Sequence, residues 1–207
     1  MAAGDEHGGG GAVVGAGRIV LGEFSGWPEP RTHDIASALR HSGVPCEVTD
    51  NLRRAHWEKL VWNIPFNGLG VASAAGDDAL FTSSSKAGIH DSLGPCLTTD
   101  KLLANATWER LVREVMFEVI AVARALGLQV SELLAEKQIE QTRTMGAYKA
   151  STLIDFERGR PLELENLFLE PLRQAQAAGA RVPRLEALCR VLKMLDARRE
   201  AALCPKT

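Results

Sequence analysis

From Asp50 onward the apolar residues recur at helical spacing and never return to the alternation of a strand. That rhythm constrains the fold more than any other feature of the chain. Asp50 or Asn51 can cap a first helix that carries Leu52, Trp57, Leu60, Val61 and Ile64 on its apolar side. Pro65 lies inside this helix and removes the amide that would bond the Val61 carbonyl, so a kink is expected there. The clearest helix begins at Asn105 or Thr107. Its Trp108, Leu111, Val112, Val115, Val119, Ile120 and Ala123 fall on one stripe, and Gly127 is placed to end it. Further helices are expected over 131–144, 147–157, 162–178 with Gly179 after it, and 183–202 with Pro183 in the first turn. Between residues 76 and 99 Gly, Ser, Asp and Pro interrupt the rhythm, and this stretch reads as an exposed insertion.

The first 49 residues follow another pattern. Residues 1–11 are Gly-rich and polar, as in a flexible leader. A short β-branched run at 18–24 suits a strand, Gly26-Trp27-Pro28-Glu29-Pro30 turns the chain, and 32–42 suits a short helix stopped by Gly43. Residues 44–49 suit a second strand, confined to a sheet edge by Pro45. Gly15-Ala16-Gly17 resembles the start of a dinucleotide fingerprint. The third glycine would fall at Val20, however, and a strand follows where the phosphate-binding helix should begin. The expected fold class is therefore mainly α, with a helical domain over 50–203 preceded by a short β-containing segment over 12–49.

Of the 207 residues 45% are hydrophobic and 24% charged, which suits a globular rather than a disordered chain. The net charge of −2 gives no general attraction to nucleic acid or anionic membrane. No apolar run approaches the ~20 residues that span a bilayer, and the start of the chain lacks a signal-peptide pattern. Cys46, Cys96, Cys189 and Cys204 are scattered, without a C-x-x-C pair or a nearby His at metal spacing. Reduced thiols, no metal site and a cytoplasmic location are expected.

Two polar groups interrupt the helical apolar pattern. Lys59, Asn63 and Asn67 are four residues apart, and at ~100° per residue they drift only ~80° around a helix. Asparagine is a poor interior helix former, so propensity alone does not account for the pair. A solvated polar face is the plain alternative. Ser151 and Asp155 share a face at i, i+4, and Glu163 opens the next helical segment after a Gly-Pro break. A carboxylate in a first helical turn is also favoured electrostatically, which would be reason enough for Glu163.

Taken together and in order, these residues resemble the C-terminal domain of the ketopantoate reductase (2-dehydropantoate 2-reductase) family. The resemblance is carried by Trp57-Glu58-Lys59 with Asn63 and Asn67, the long helix ending at Gly127, Ser151 with Asp155, Glu163, and Gly179 with Pro183. Residues 17–23 are similar to the last strands of the family's N-terminal Rossmann domain. The resemblance implies a helical domain of the 6-phosphogluconate dehydrogenase C-terminal-like type and NADPH-dependent reduction of 2-dehydropantoate to (R)-pantoate, a step of pantothenate and coenzyme A biosynthesis. It implies Lys59 as general acid and Glu163 as its catalytic neighbour, holding lysine and substrate in register. Asn63, Asn67 and Ser151 would bind the substrate, with Asp155 orienting its neighbours in that group. Most of the family's Rossmann domain has no counterpart here, so the cofactor implies a separate nucleotide-binding half or a second copy as partner.

Two other readings compete. One is a non-catalytic helical module that associates through the apolar faces a Rossmann domain would cover. The other is a nucleic-acid binder using Arg198, Arg199 and Lys206, which rests on three charges near one end of the chain.

Overall fold

A computed structural model describes residues 18–81 and 92–203. The leader, Gly15-Ala16-Gly17 and Cys204 lie outside the described residues, as does the middle of the 76–99 stretch. The chain divides into two compact units, one up to Ala55 and one from His56 onward.

The smaller unit is a β–α–β arrangement. Strands β1 (Ile19–Leu21) and β2 (Cys46–Val48) pair in parallel with Ile19 opposite Cys46, and helix α1 (Pro30–His41) connects them. Pro30 suits the first turn of α1, where its missing N–H costs nothing. The first strand is shorter than the expected 18–24. It stops before Gly22, where a Cβ would lie 2.9 Å from the carbonyl oxygen of Thr49. Glu23 then turns back to receive Arg31 Nη2 at 2.9 Å and the Thr32 hydroxyl.

The larger unit is helical: α2 (Leu52–Ala72, which begins in the smaller unit), α3 (Asp78–Phe81), α4 (Thr99–Ala104), α5 (Ala106–Ala125), α6 (Leu133–Arg143), α7 (Ser151–Glu157), α8 (Glu170–Ala177) and α9 (Pro183–Leu203). A π turn, Glu165–Leu169, leads directly into α8. Helix α2 continues through Pro65, and every residue from Ile64 to Ala72 is buried. A helix buried on all sides belongs in the middle of a bundle. Ile64, Phe66 and Leu69 of α2 share one core with Leu111, Met116 and Ile120 of α5 and with Leu185 and Leu188 of α9.

The helix ends follow from local chemistry. The Asn105 side chain accepts from the N–H groups of Thr107 and Trp108, fixing the start of α5. Glu118 of α5 performs a similar task at a distance. Its two carboxylate oxygens accept from the N–H groups of Arg184 and Leu185 at 2.9 and 2.8 Å, satisfying orphan donors at the start of α9. Burial raises the pKa of Glu118 despite these bonds. Burial likewise pushes the thiols up, to about 11 for Cys96 and about 12 for Cys189, so both stay protonated at neutral pH.

The 76–99 stretch departs from the expected exposed insertion at both ends. Helix α3 buries Leu80, and the Leu97 N–H donates to the Gly70 carbonyl at 3.1 Å and to Ser73 Oγ at 2.9 Å. An apolar residue amid Gly and Asp at one end, and a backbone able to cap the end of α2 at the other, tie these flanks into the helical unit. Helix α4 begins within a Thr-rich stretch that is tied to a distant part of the chain: the buried Thr99 hydroxyl donates to the Gly146 carbonyl at 2.9 Å.

Candidate active site

The polar stripe of α2 opens onto a cavity of about 420 Å³, within the range of small-molecule sites. Lys59, Asn63 and Asn67 line it from α2, Ser151 from the start of α7, and Glu163 from the segment before the π turn. Five of the six residues singled out in the sequence thus meet at one place. Asp155 does not line it: its carboxylate accepts from Arg160 Nη1 at 3.3 Å.

Helical spacing puts His56, Lys59 and Asn63 on one stripe of α2, so the lysine sits between a histidine one turn before it and an amide one turn after. Burial and the Lys59 charge both lower the His56 pKa, which leaves the imidazole neutral at pH 7. Among the lining residues Lys59 is then the cation and Glu163 the carboxylate. Asp196 of α9 accepts from the Leu162 N–H at 3.2 Å and from Arg199 Nε at 2.9 Å, and so anchors the backbone next to Glu163. Arg199 is thereby engaged inside the fold, with its side chain 11% exposed, and is not offered to a nucleic acid.

Asn67 is 3% exposed, and its carboxamide is used within the protein. Its Oδ1 accepts from the Ser151 hydroxyl at 3.3 Å and the Thr152 N–H at 3.1 Å, while its Nδ2 donates to the Asn63 carbonyl at 3.0 Å. The two donors fix the orientation of the amide. Ala150, at the N-cap position of α7, has no side chain that can cap, and Asn67 supplies that cap from another helix. Asn67→Ala orphans a buried N–H and should cost about 2–3 kcal/mol, read as a lower urea midpoint. An unchanged midpoint would show that the cap contributes nothing.

Sequence reasoning missed His56, Trp62, Tyr148, Asn166 and Leu167, which also line the cavity. His56 and Trp62 lie three residues on either side of Lys59, so helical periodicity carried a usable signal for both. Asn166 and Leu167 reach the cavity from the π turn. No periodic pattern announces such a turn, although π turns recur at functional sites.

The described part of the smaller unit does not fit a dinucleotide phosphate. The start of α1, where such a helix presents free amides, has Pro30 without an N–H. Glu29 stands at its N-cap, and the Glu23 carboxylate is already bonded to Thr32. Both carboxylates pair with Arg31, so the cation at that point is already matched.

Comparison with known proteins agrees with the helical architecture. A family model described as the ketopantoate reductase PanE/ApbA C-terminal domain matches residues 94–196. A curated 2-dehydropantoate 2-reductase of Nostoc sp. (strain PCC 7120) is 32% identical over 187 residues, 88% of this chain and 52% of the relative. The crystal structure of 2-dehydropantoate 2-reductase from Geobacter metallireducens superposes with a TM-score of 0.72 at 40% identity, covering 87% of this chain and 53% of that one. The enzyme of the same name from Methylococcus capsulatus gives 0.75 at 32% identity, covering 90% and 53%. The chain spans about half the length of the curated relatives it matches first. Among the described residues, no helix is long and apolar enough to cross a membrane.

Proposed function

The chain belongs, through its helical unit, to the ketopantoate reductase family, and from that premise we propose that it is the substrate-binding and catalytic half of a 2-dehydropantoate 2-reductase. The observation that carries this reading is the convergence of Lys59, Asn63, Ser151 and Glu163 from three separate segments onto one cavity. A 2-oxo acid offers a carboxylate and a ketone oxygen, both acceptors. Lys59, the Asn63 amide and the Ser151 hydroxyl are the complementary donors. In the reaction negative charge develops on the ketone oxygen, and the Lys59 ammonium stabilises it and supplies the proton. Glu163 offsets the lysine charge and accepts from a substrate hydroxyl. Asn67 acts through Ser151, which it holds at the first turn of α7.

NADPH is the cofactor this reading implies, as the source of hydride. The start of α1 does not fit it, so the nucleotide would be held outside the described residues, as by a nucleotide-binding half that joins this one. The reading is tested by titrating the purified chain with 2-dehydropantoate in a calorimeter. Saturable binding is expected, with heats that vanish in a Lys59→Ala, Ser151→Ala double variant. No binding, or binding indifferent to both substitutions, would favour the non-catalytic helical module.

A further inference from the structure

Resting on that reading of the cavity, we propose that its aromatic side admits and favours 2-oxo acids bearing an aromatic tail. The lining divides chemically. Lys59, Asn63 and Ser151 suit the oxo-acid head, whereas Trp62, Tyr148 and Leu167 offer apolar surface that a short polar tail cannot use.

The aromatic side chains form a connected series. The Phe66 ring, 1% exposed, lies 5.0 Å from the Trp62 ring. Trp62 in turn meets Tyr148 edge-on at 6.1 Å and 61°. Trp62 has no hydrogen bond left to give: its Nε1–H donates to Thr142 Oγ1 at 2.8 Å, and Thr142 donates onward to the Gln138 carbonyl at 2.6 Å. The indole can therefore offer a ligand only its ring. Tyr148 is held differently, by its backbone. Its N–H donates to the Gly146 carbonyl at 2.8 Å, and its own carbonyl accepts from the N–H of the buried Thr99 at 3.1 Å.

Tyr148 is nevertheless 42% exposed as a residue. An aromatic ring on a fixed backbone loses little conformational freedom when a ligand covers it, and a second ring in edge or offset contact gains more than its buried area alone. The ligand that meets both halves is anionic at the head, because Lys59 is there, and aromatic at the tail.

The test titrates the full chain with phenylpyruvate and with 2-dehydropantoate, each by calorimetry, and reads the ratio of the two affinities. Tyr148→Ala is expected to lower the phenylpyruvate-to-dehydropantoate ratio roughly tenfold, and Tyr148→Phe to preserve it. Tyr148→Leu, which retains bulk, should lower the ratio too and replaces the alanine variant if that one melts early by circular dichroism. A ratio unmoved by loss of the ring overturns the proposal. So does failure of phenylpyruvate to bind while 2-dehydropantoate binds, and in either case the oxo-acid reading stands. Failure of both ligands overturns the oxo-acid reading and the proposal with it.

Discussion

Phe168→Ala is expected to destabilise the helical unit by about 3–5 kcal/mol, a large part of the ~5–15 kcal/mol that holds a typical domain together. Phe168 is 0% exposed and sits in the π turn, against Gly68 of α2. A Cβ on Gly68 would come within 2.8 Å of Phe168 Cε1 and 2.7 Å of Leu188 Cδ2, so α2 approaches these side chains as closely as a backbone can. A cavity left by the ring cannot be filled by movement of a glycine, and the cost should approach the upper end of the range. Urea denaturation followed by circular dichroism would show a lower midpoint at an unchanged slope. The same contact predicts coupling. Gly68→Ala alone overpacks this site at a cost of about 1–3 kcal/mol, whereas in the Phe168→Ala background the clash with the ring is gone and Leu188 has room to shift away from the added methyl. Costs that simply add would show that the two residues do not share one packing site.

That contact also marks where the sequence stops being legible. The helices from α5 onward can be read because apolar residues recur along one face of each, and for α5 Asn105 and Gly127 mark the two ends as well. The family resemblance rests on residues at fixed intervals along helices, and Lys59, Asn63, Ser151 and Glu163 meet at one cavity for the same reason. The π turn is indistinguishable in sequence from ordinary helix over 162–178, because a single wide turn of five residues is too short to set up a periodicity of its own. Helix α4 and the buried flanks of the 76–99 stretch escape sequence reasoning for a different reason. Their order depends on Thr99 and Leu97 finding backbone partners near Gly146 and Gly70, contacts distant in sequence. Asn67 shows the limit of motif reasoning most clearly. Its place on the stripe suggests a ligand contact, yet its acceptor oxygen is used to cap α7.

Lys59→Ala is expected to lower the rate of 2-dehydropantoate reduction by about 10²–10⁴-fold, the range for loss of a positioned proton donor. The assay supplies the chain with a separately expressed nucleotide-binding domain and follows NADPH oxidation. The substitution removes the one cation among the lining residues at neutral pH, since burial, and after it the Lys59 charge, lowers the His56 pKa in the intact site. Loss of the lysine relieves His56 of that repulsion and raises its pKa, so residual activity in the alanine variant should increase at mildly acidic pH as the imidazole takes up a proton. Lys59→Arg separates charge from proton transfer. A guanidinium keeps the positive charge but does not release a proton in this pH range. It should therefore restore much of the substrate affinity while leaving the turnover rate low. An arginine variant with full turnover would show that Lys59 acts only as a charge, and an alanine variant with unchanged turnover would remove it from the chemistry altogether.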